Sequence, residues 1–193
     1  MLTLANQMTL ARMVMIPLLI TLLLSNLHGW AFVVFILAGI TDGLDGLIAR
    51  RYKQSSALGA FLDPMADKLL MTACFIVLSL PDHPRSVPEF QIANHIPVYL
   101  TIVTISRDVF IVIIALLAHL TYGMTRFTPT TLGKLTTATQ LITIGTVLLL
   151  NFLKREATVL VGALVWLTLA LTLASGLHYI YYATRIAGAE EQR

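Results

Sequence analysis

Residues 31–50, Ala31-Phe32-Val33-Val34-Phe35-Ile36-Leu37-Ala38-Gly39-Ile40-Thr41-Asp42-Gly43-Leu44-Asp45-Gly46-Leu47-Ile48-Ala49-Arg50, decide the fold together with Gly59-Ala60-Phe61-Leu62-Asp63-Pro64-Met65-Ala66-Asp67-Lys68. An apolar run leads straight into acids in the first stretch, and acids lead into the apolar run Leu69 to Leu80 after the second. Asp42 and Asp45 are three residues apart, and Gly46, Ala49 and Arg50 continue their stripe at helical spacing. Gly59, Asp63 and Asp67 recur every four residues, which aligns them on one face of a second helix. Only the short link Tyr52 to Ser56 separates the two helices, so the pattern predicts antiparallel neighbours with these faces opposed and the four carboxylates convergent.

Outward from these helices the whole chain reads as one that belongs in a bilayer. Its 193 residues are 57% hydrophobic and only 12% charged, with a mean hydropathy of +0.82. A hydrocarbon layer about 30 Å thick takes roughly 20 apolar residues per helix. Six such spans are predicted, at about 10–26, 30–50, 57–81, 96–120, 131–153 and 157–183. The fold class is therefore all-α: a polytopic membrane protein of six transmembrane helices with a short N-terminal interfacial segment, forming a single domain over 1–193. Met1 to Leu10 carries no basic region or cleavage signal, so the first run reads as a retained helix. Pro17 and Pro97 read as kinks, Trp30, Tyr179, Tyr181 and Tyr182 as interfacial aromatics, and the single cysteine, Cys74, as an unreactive residue in an apolar run.

The net charge of +3 reports topology, not nucleic acid, because the bases are dispersed and form no stripe interleaved with aromatics. With the N-terminus in the cytoplasm, Arg50, Arg51, Lys53, Arg126, Lys134, Arg185 and Arg193 lie inside, against Arg85, Lys154 and Arg155 outside.

Asp42, Asp45, Asp63, Asp67 and Asp108 fall within or at the ends of spans. Each acid at a span's centre costs about 2.5–3.5 kcal/mol on insertion scales. One such residue could be paired or snorkelled. Four on two adjacent helices call for shared protons or bound cations. A set of hard oxygen donors without cysteine or histidine favours Mg²⁺ or Mn²⁺ over zinc. A divalent-cation or proton-coupled transporter would also use intramembrane carboxylates, but it predicts broken helices and inverted repeats that the sequence lacks. A purely structural scaffold leaves the aspartates unexplained.

The string Asp42-Gly-Leu-Asp45-Gly46-Leu-Ile-Ala49-Arg50, eight residues, Gly59, three residues, Asp63, three residues, Asp67 resembles the signature of the CDP-alcohol phosphatidyltransferases at every position. The opening Leu4 to Arg12, the stretch Gly59 to Lys68, Ile105-Ser106-Arg107-Asp108 and Leu132 to Gln140 resemble the glycerol-phosphate and cardiolipin branches of that family. The resemblance implies a six-helix fold, a homodimer, and a cytoplasm-facing cavity that holds two divalent metal ions and the CDP-lipid, in a bacterial inner membrane. Carried over, Asp42, Asp45 and Asp63 are metal ligands, and Asp67 is the base and a further metal contact. Asp42, Gly46, Ala49, Arg50 and Gly59 bind the CDP-lipid. The implied donor is CDP-diacylglycerol. The implied acceptor is glycerol 3-phosphate, or phosphatidylglycerol in a cardiolipin synthase.

For Asp67 the residue-level reading leaves a plain metal ligand open beside the base, since both roles use the same oxygen chemistry. Arg107 and Lys134 are the candidates for the acceptor's phosphate. Arg107 lies in an apolar span, and adjacent helical residues point apart, so simple neutralisation by Asp108 is not expected. A buried pair with one of the aspartates remains its alternative. Lys134 starts the fifth span, where it either meets an anion near the helix start or faces the cytoplasm.

Overall fold

The computed structural model describes the backbone of residues 4–52, 57–80, 94–122 and 130–190, and the side chains of 10–41, 65–80, most of 94–121, and 130–181. Six helices and no strand occur among the described residues: α1 (Leu4–Leu24), α2 (His28–Tyr52), α3 (Ala57–Ser79), α4 (Val98–Tyr122), α5 (Thr131–Phe152) and α6 (Thr158–Glu190). Each coincides with a predicted span. The N-terminal segment from Leu4 on is the start of α1 itself, because residues of good helix propensity extend the helix beyond the apolar run. By length and composition, Thr131–Phe152 and Thr158–Tyr181 are apolar enough to cross a membrane, and Leu10–Leu24 and His28–Thr41 are shorter apolar stretches.

The chain divides into two compact units, Met1–Ile96 with Ile144–Thr158 and Pro97–Thr143 with Val159–Arg193. In the first unit α1 packs against both α2 and α3. Leu19, Leu23, Phe35, Leu70, Phe75 and Leu78 are buried there, as is Cys74. Two helix ends in this unit close in the same way. After α1, Leu27 N–H donates to Leu22 O and Asn26 N–H to Leu23 O, with Asn26 at φ 58°. After α5, Arg155 N–H donates to Leu150 O and Lys154 N–H to Asn151 O, with Lys154 at φ 52°. Both are Schellman closures, with a left-handed residue reversing the chain.

Asn94 pins the turn after α5. Its backbone N–H donates to Asn151 Oδ1 at 2.9 Å, its Nδ2 donates to Arg155 O at 2.8 Å, and its Oδ1 accepts from Ala157 N–H at 3.2 Å. Asn151 Nδ2 returns a bond to Asn94 O at 3.2 Å. Two buried asparagines therefore satisfy loop backbone that would otherwise be orphaned.

In the second unit α5 and α6 run antiparallel. Arg107 on α4 bonds Ser175 on α6, while along α5 Thr130, Thr136 and Thr143 meet Tyr179, Leu171 and Thr168 in descending order on α6. Pro97 stands immediately before α4, where its carbonyl accepts from Leu100 and Thr101 N–H. It starts a helix and does not kink one, since its missing N–H costs nothing there.

Candidate active site

The aspartate-bearing segments are helical throughout. Asp42, Asp45, Gly46, Ala49 and Arg50 lie on the C-terminal half of α2, and Gly59, Asp63 and Asp67 on the N-terminal half of α3. With 3.6 residues per turn, Asp42 and Asp45 share one face, and Gly59, Asp63 and Asp67 share another. The side chains of Asp42, Asp45, Gly46, Ala49, Arg50, Gly59 and Asp63, and the convergence of the carboxylates, lie outside the described residues. Asp67 is half-buried and engaged by a polar or ionic contact, next to the fully buried Ala66. Carboxylates alone, spaced by one helical turn on each of two helices, are a donor set that fits hard divalent cations.

The pattern of acids did not point to Arg12. On α1, the helix that packs on both aspartate-bearing helices, its side chain is only 1% exposed. It is engaged by a contact of its own, as a buried cation must be. The signal was present: an arginine flanked by apolar residues in the first run carries the same cost as the aspartates.

In the second unit Arg107 is 8% exposed and lies in a dense polar cluster. Its Nη1 donates to Asp108 Oδ1 at 2.8 Å, so the expectation that adjacent residues do not neutralise each other is corrected. A guanidinium on a long flexible stem folds back to reach a neighbouring carboxylate even though the two Cβ directions diverge. Its Nη2 donates to Ser175 Oγ at 2.6 Å, and the guanidinium carbon lies 5.8 Å from the centre of the Tyr179 ring. Tyr179 is buried, and its hydroxyl accepts from Thr130 N–H at 3.4 Å, so it closes the start of α5 instead of anchoring at an interface.

Thr130 caps α5, its Oγ1 accepting from Gly133 N–H at 3.1 Å. Position 133 is closely approached: a Cβ there would stand 3.2 Å from Thr130 Oγ1 and 3.3 Å from Arg107 Nη2, so either side chain would have to give by a few tenths of an ångström. Lys134, one residue on, is exposed.

The model of the CDP-alcohol phosphatidyltransferase family matches residues 2–174, crossing both units. The chain belongs to this family. Its relatives carry two kinds of name. The human cardiolipin synthase (CMP-forming) is 32% identical over 199 residues, which is 95% of this chain and 62% of that protein. The rat protein of the same name is 33% identical with the same coverage, so the chain spans 62% of the length of both. A probable phosphatidylglycerophosphate synthase of Mycobacterium tuberculosis is 33% identical over 199 residues, 98% of this chain and 85% of that protein. Within the family, then, similarity alone does not choose an acceptor.

Proposed function

We propose that the protein is an integral membrane enzyme that transfers the phosphatidyl group of CDP-diacylglycerol to glycerol 3-phosphate, releasing CMP and forming phosphatidylglycerol phosphate. The observation that carries this reading is the complete family signature between Asp42 and Asp67, whose signature positions fall within α2 and α3. The near end-to-end match to the mycobacterial relative supports the glycerol 3-phosphate acceptor. In this reading all six helices span a bacterial inner membrane, the active site faces the cytoplasm, and the working form is a homodimer.

Gly46, Ala49 and Gly59 keep their helix faces low so that CMP approaches the backbone, and Arg50 forks onto phosphate. Asp67 takes the proton of the acceptor hydroxyl. That oxygen then forms a bond to the lipid-bearing phosphorus, and the bond from phosphorus to the CMP oxygen breaks in line. Two Mg²⁺ or Mn²⁺ ions held by Asp42, Asp45, Asp63 and Asp67 would supply neutralisation of the diphosphate charge. Arg107 and Lys134 serve the acceptor's phosphate.

One observation favours phosphatidylglycerol as acceptor. An open groove of about 420 Å³ between α4 and α6 is lined by apolar residues such as Ile102, Phe110, Leu173 and Leu177, with Ser106, Arg107 and Thr172 as its polar members. That chemistry suits a lipid. The test is CMP release by the purified protein with CDP-diacylglycerol and Mg²⁺ or Mn²⁺, in parallel with glycerol 3-phosphate and with phosphatidylglycerol. Release with glycerol 3-phosphate alone is the expected result. Release with phosphatidylglycerol alone makes the protein a cardiolipin synthase, and release with neither overturns both readings.

A further inference from the structure

The two cations assigned to the acceptor's phosphate stand on different helices, Arg107 on α4 and Lys134 on α5. A residue of a third helix is bonded to the frame of both. Tyr179 on α6 is 7% exposed, and its ring centre lies 5.8 Å from the Arg107 guanidinium carbon, within range of a cation–π attraction. Its hydroxyl accepts from Thr130 N–H at 3.4 Å. Thr130 in turn accepts from Lys134 N–H through its carbonyl at 3.1 Å, and from Gly133 N–H through Oγ1 at 3.1 Å. The phenol therefore bonds the residue that caps the turn carrying Lys134.

The ring, the guanidinium and the start of α5 also meet directly. A Cβ placed on Gly133 would stand 3.3 Å from Arg107 Nη2 and 3.5 Å from the Tyr179 hydroxyl oxygen. Ser175, one turn before Tyr179 on α6, accepts from Arg107 Nη2 at 2.6 Å, and Asp108 accepts from Nη1 at 2.8 Å. A guanidinium carries five N–H donors, so these two bonds orient it and leave others for an anion. Arg107 lines the open groove between α4 and α6, whereas Tyr179 is not among the residues that line it. Arg107 is thus placed to touch a guest, and Tyr179 to act through Arg107 and through the start of α5.

We propose that Tyr179 is a positioning residue for acceptor binding: its ring orients the Arg107 guanidinium while its hydroxyl fixes the turn that carries Lys134. This rests on the proposed function, in which Arg107 and Lys134 serve the acceptor's phosphate. Glycerol 3-phosphate and phosphatidylglycerol both carry that phosphate, so the inference does not depend on which of them is used.

The test is CMP release by the full-length protein in lipid nanodiscs, with glycerol 3-phosphate and with phosphatidylglycerol in parallel. Tyr179→Phe keeps the ring against Arg107 and removes only the hydroxyl. The acceptor KM should rise about fivefold, with kcat and the CDP-diacylglycerol KM within about twofold of the wild type. Tyr179→Leu removes the ring as well and should raise the acceptor KM further. Because the hydroxyl acts through the turn that carries Lys134, Tyr179→Phe combined with Lys134→Ala should raise the acceptor KM by less than the product of the single effects. An unchanged acceptor KM in Tyr179→Phe, a combined effect equal to that product, or equal rises in both KM values with a lower melting temperature overturns the proposal and makes Tyr179 a packing residue. Failure of the underlying reading is distinguishable. In that case the wild type releases no CMP with either acceptor, or Arg107→Lys and Lys134→Ala leave the acceptor KM unchanged, and the proposal falls with it.

Discussion

Asp67 and Lys154 carry opposite kinds of burden. Asp67 is half-buried on α3, one turn after Asp63. Asp67→Asn keeps the shape and removes the proposed base, so CMP release should fall by about 10²–10⁴-fold while CDP-diacylglycerol binding persists. A near-normal rate would return Asp67 to the plain-ligand role. Lys154 instead sits at φ 52°, where a non-glycine residue loses about 1–2 kcal/mol. Lys154→Gly should therefore stabilise the protein by about 0.5–1 kcal/mol, read as a higher melting temperature. The acids were legible because charge in an apolar run is conspicuous in one dimension. Arg12 was equally conspicuous but carries the opposite sign from the cluster being followed. The Tyr179 hydroxyl at the start of α5, 49 residues away, depends on three-dimensional packing that no local pattern encodes.

All six helices were legible as apolar runs, because run length and helix length are set by the same alternation of apolar segment and polar break. Their ends were less so. Hydropathy stops α1 at residue 10, whereas helix propensity carries it back to Leu4. Pro97 looked like an interruption and proved to be a start. The Asn94–Asn151 pair was invisible because its members are 57 residues apart and neither belongs to a motif. Asn151→Leu would leave Asn94 N–H and C=O without partners, and should lower unfolding stability by about 1–3 kcal/mol. A chemical-denaturation midpoint equal to that of the wild type would mean the clamp contributes nothing to stability. The threonine contacts between α5 and α6 belong at this scale too: small polar side chains let helices approach and bond where lipid supplies no hydrophobic drive.

For the molecule as a whole, the proposed reading ties turnover to divalent cations while the helices rest on packing and backbone bonds of their own. Chelation should abolish CMP release and leave far-ultraviolet circular dichroism unchanged, and added Mg²⁺ or Mn²⁺ should restore release. Loss of helicity on chelation would make the metal structural. The family was legible across nearly the whole chain because its signature is long and strictly spaced. The acceptor was not, because relatives of both names match nearly the whole chain about equally well.

Cys74, the chain's only cysteine, is enclosed in the first unit at 0% exposure. The natural sequence is thus already suited to thiol labelling from either side of a sealed vesicle. A membrane-impermeant maleimide should leave the unaltered protein unmodified, and a single Val159→Cys change at a position 88% exposed at the start of α6 would report which compartment that end of the helix faces.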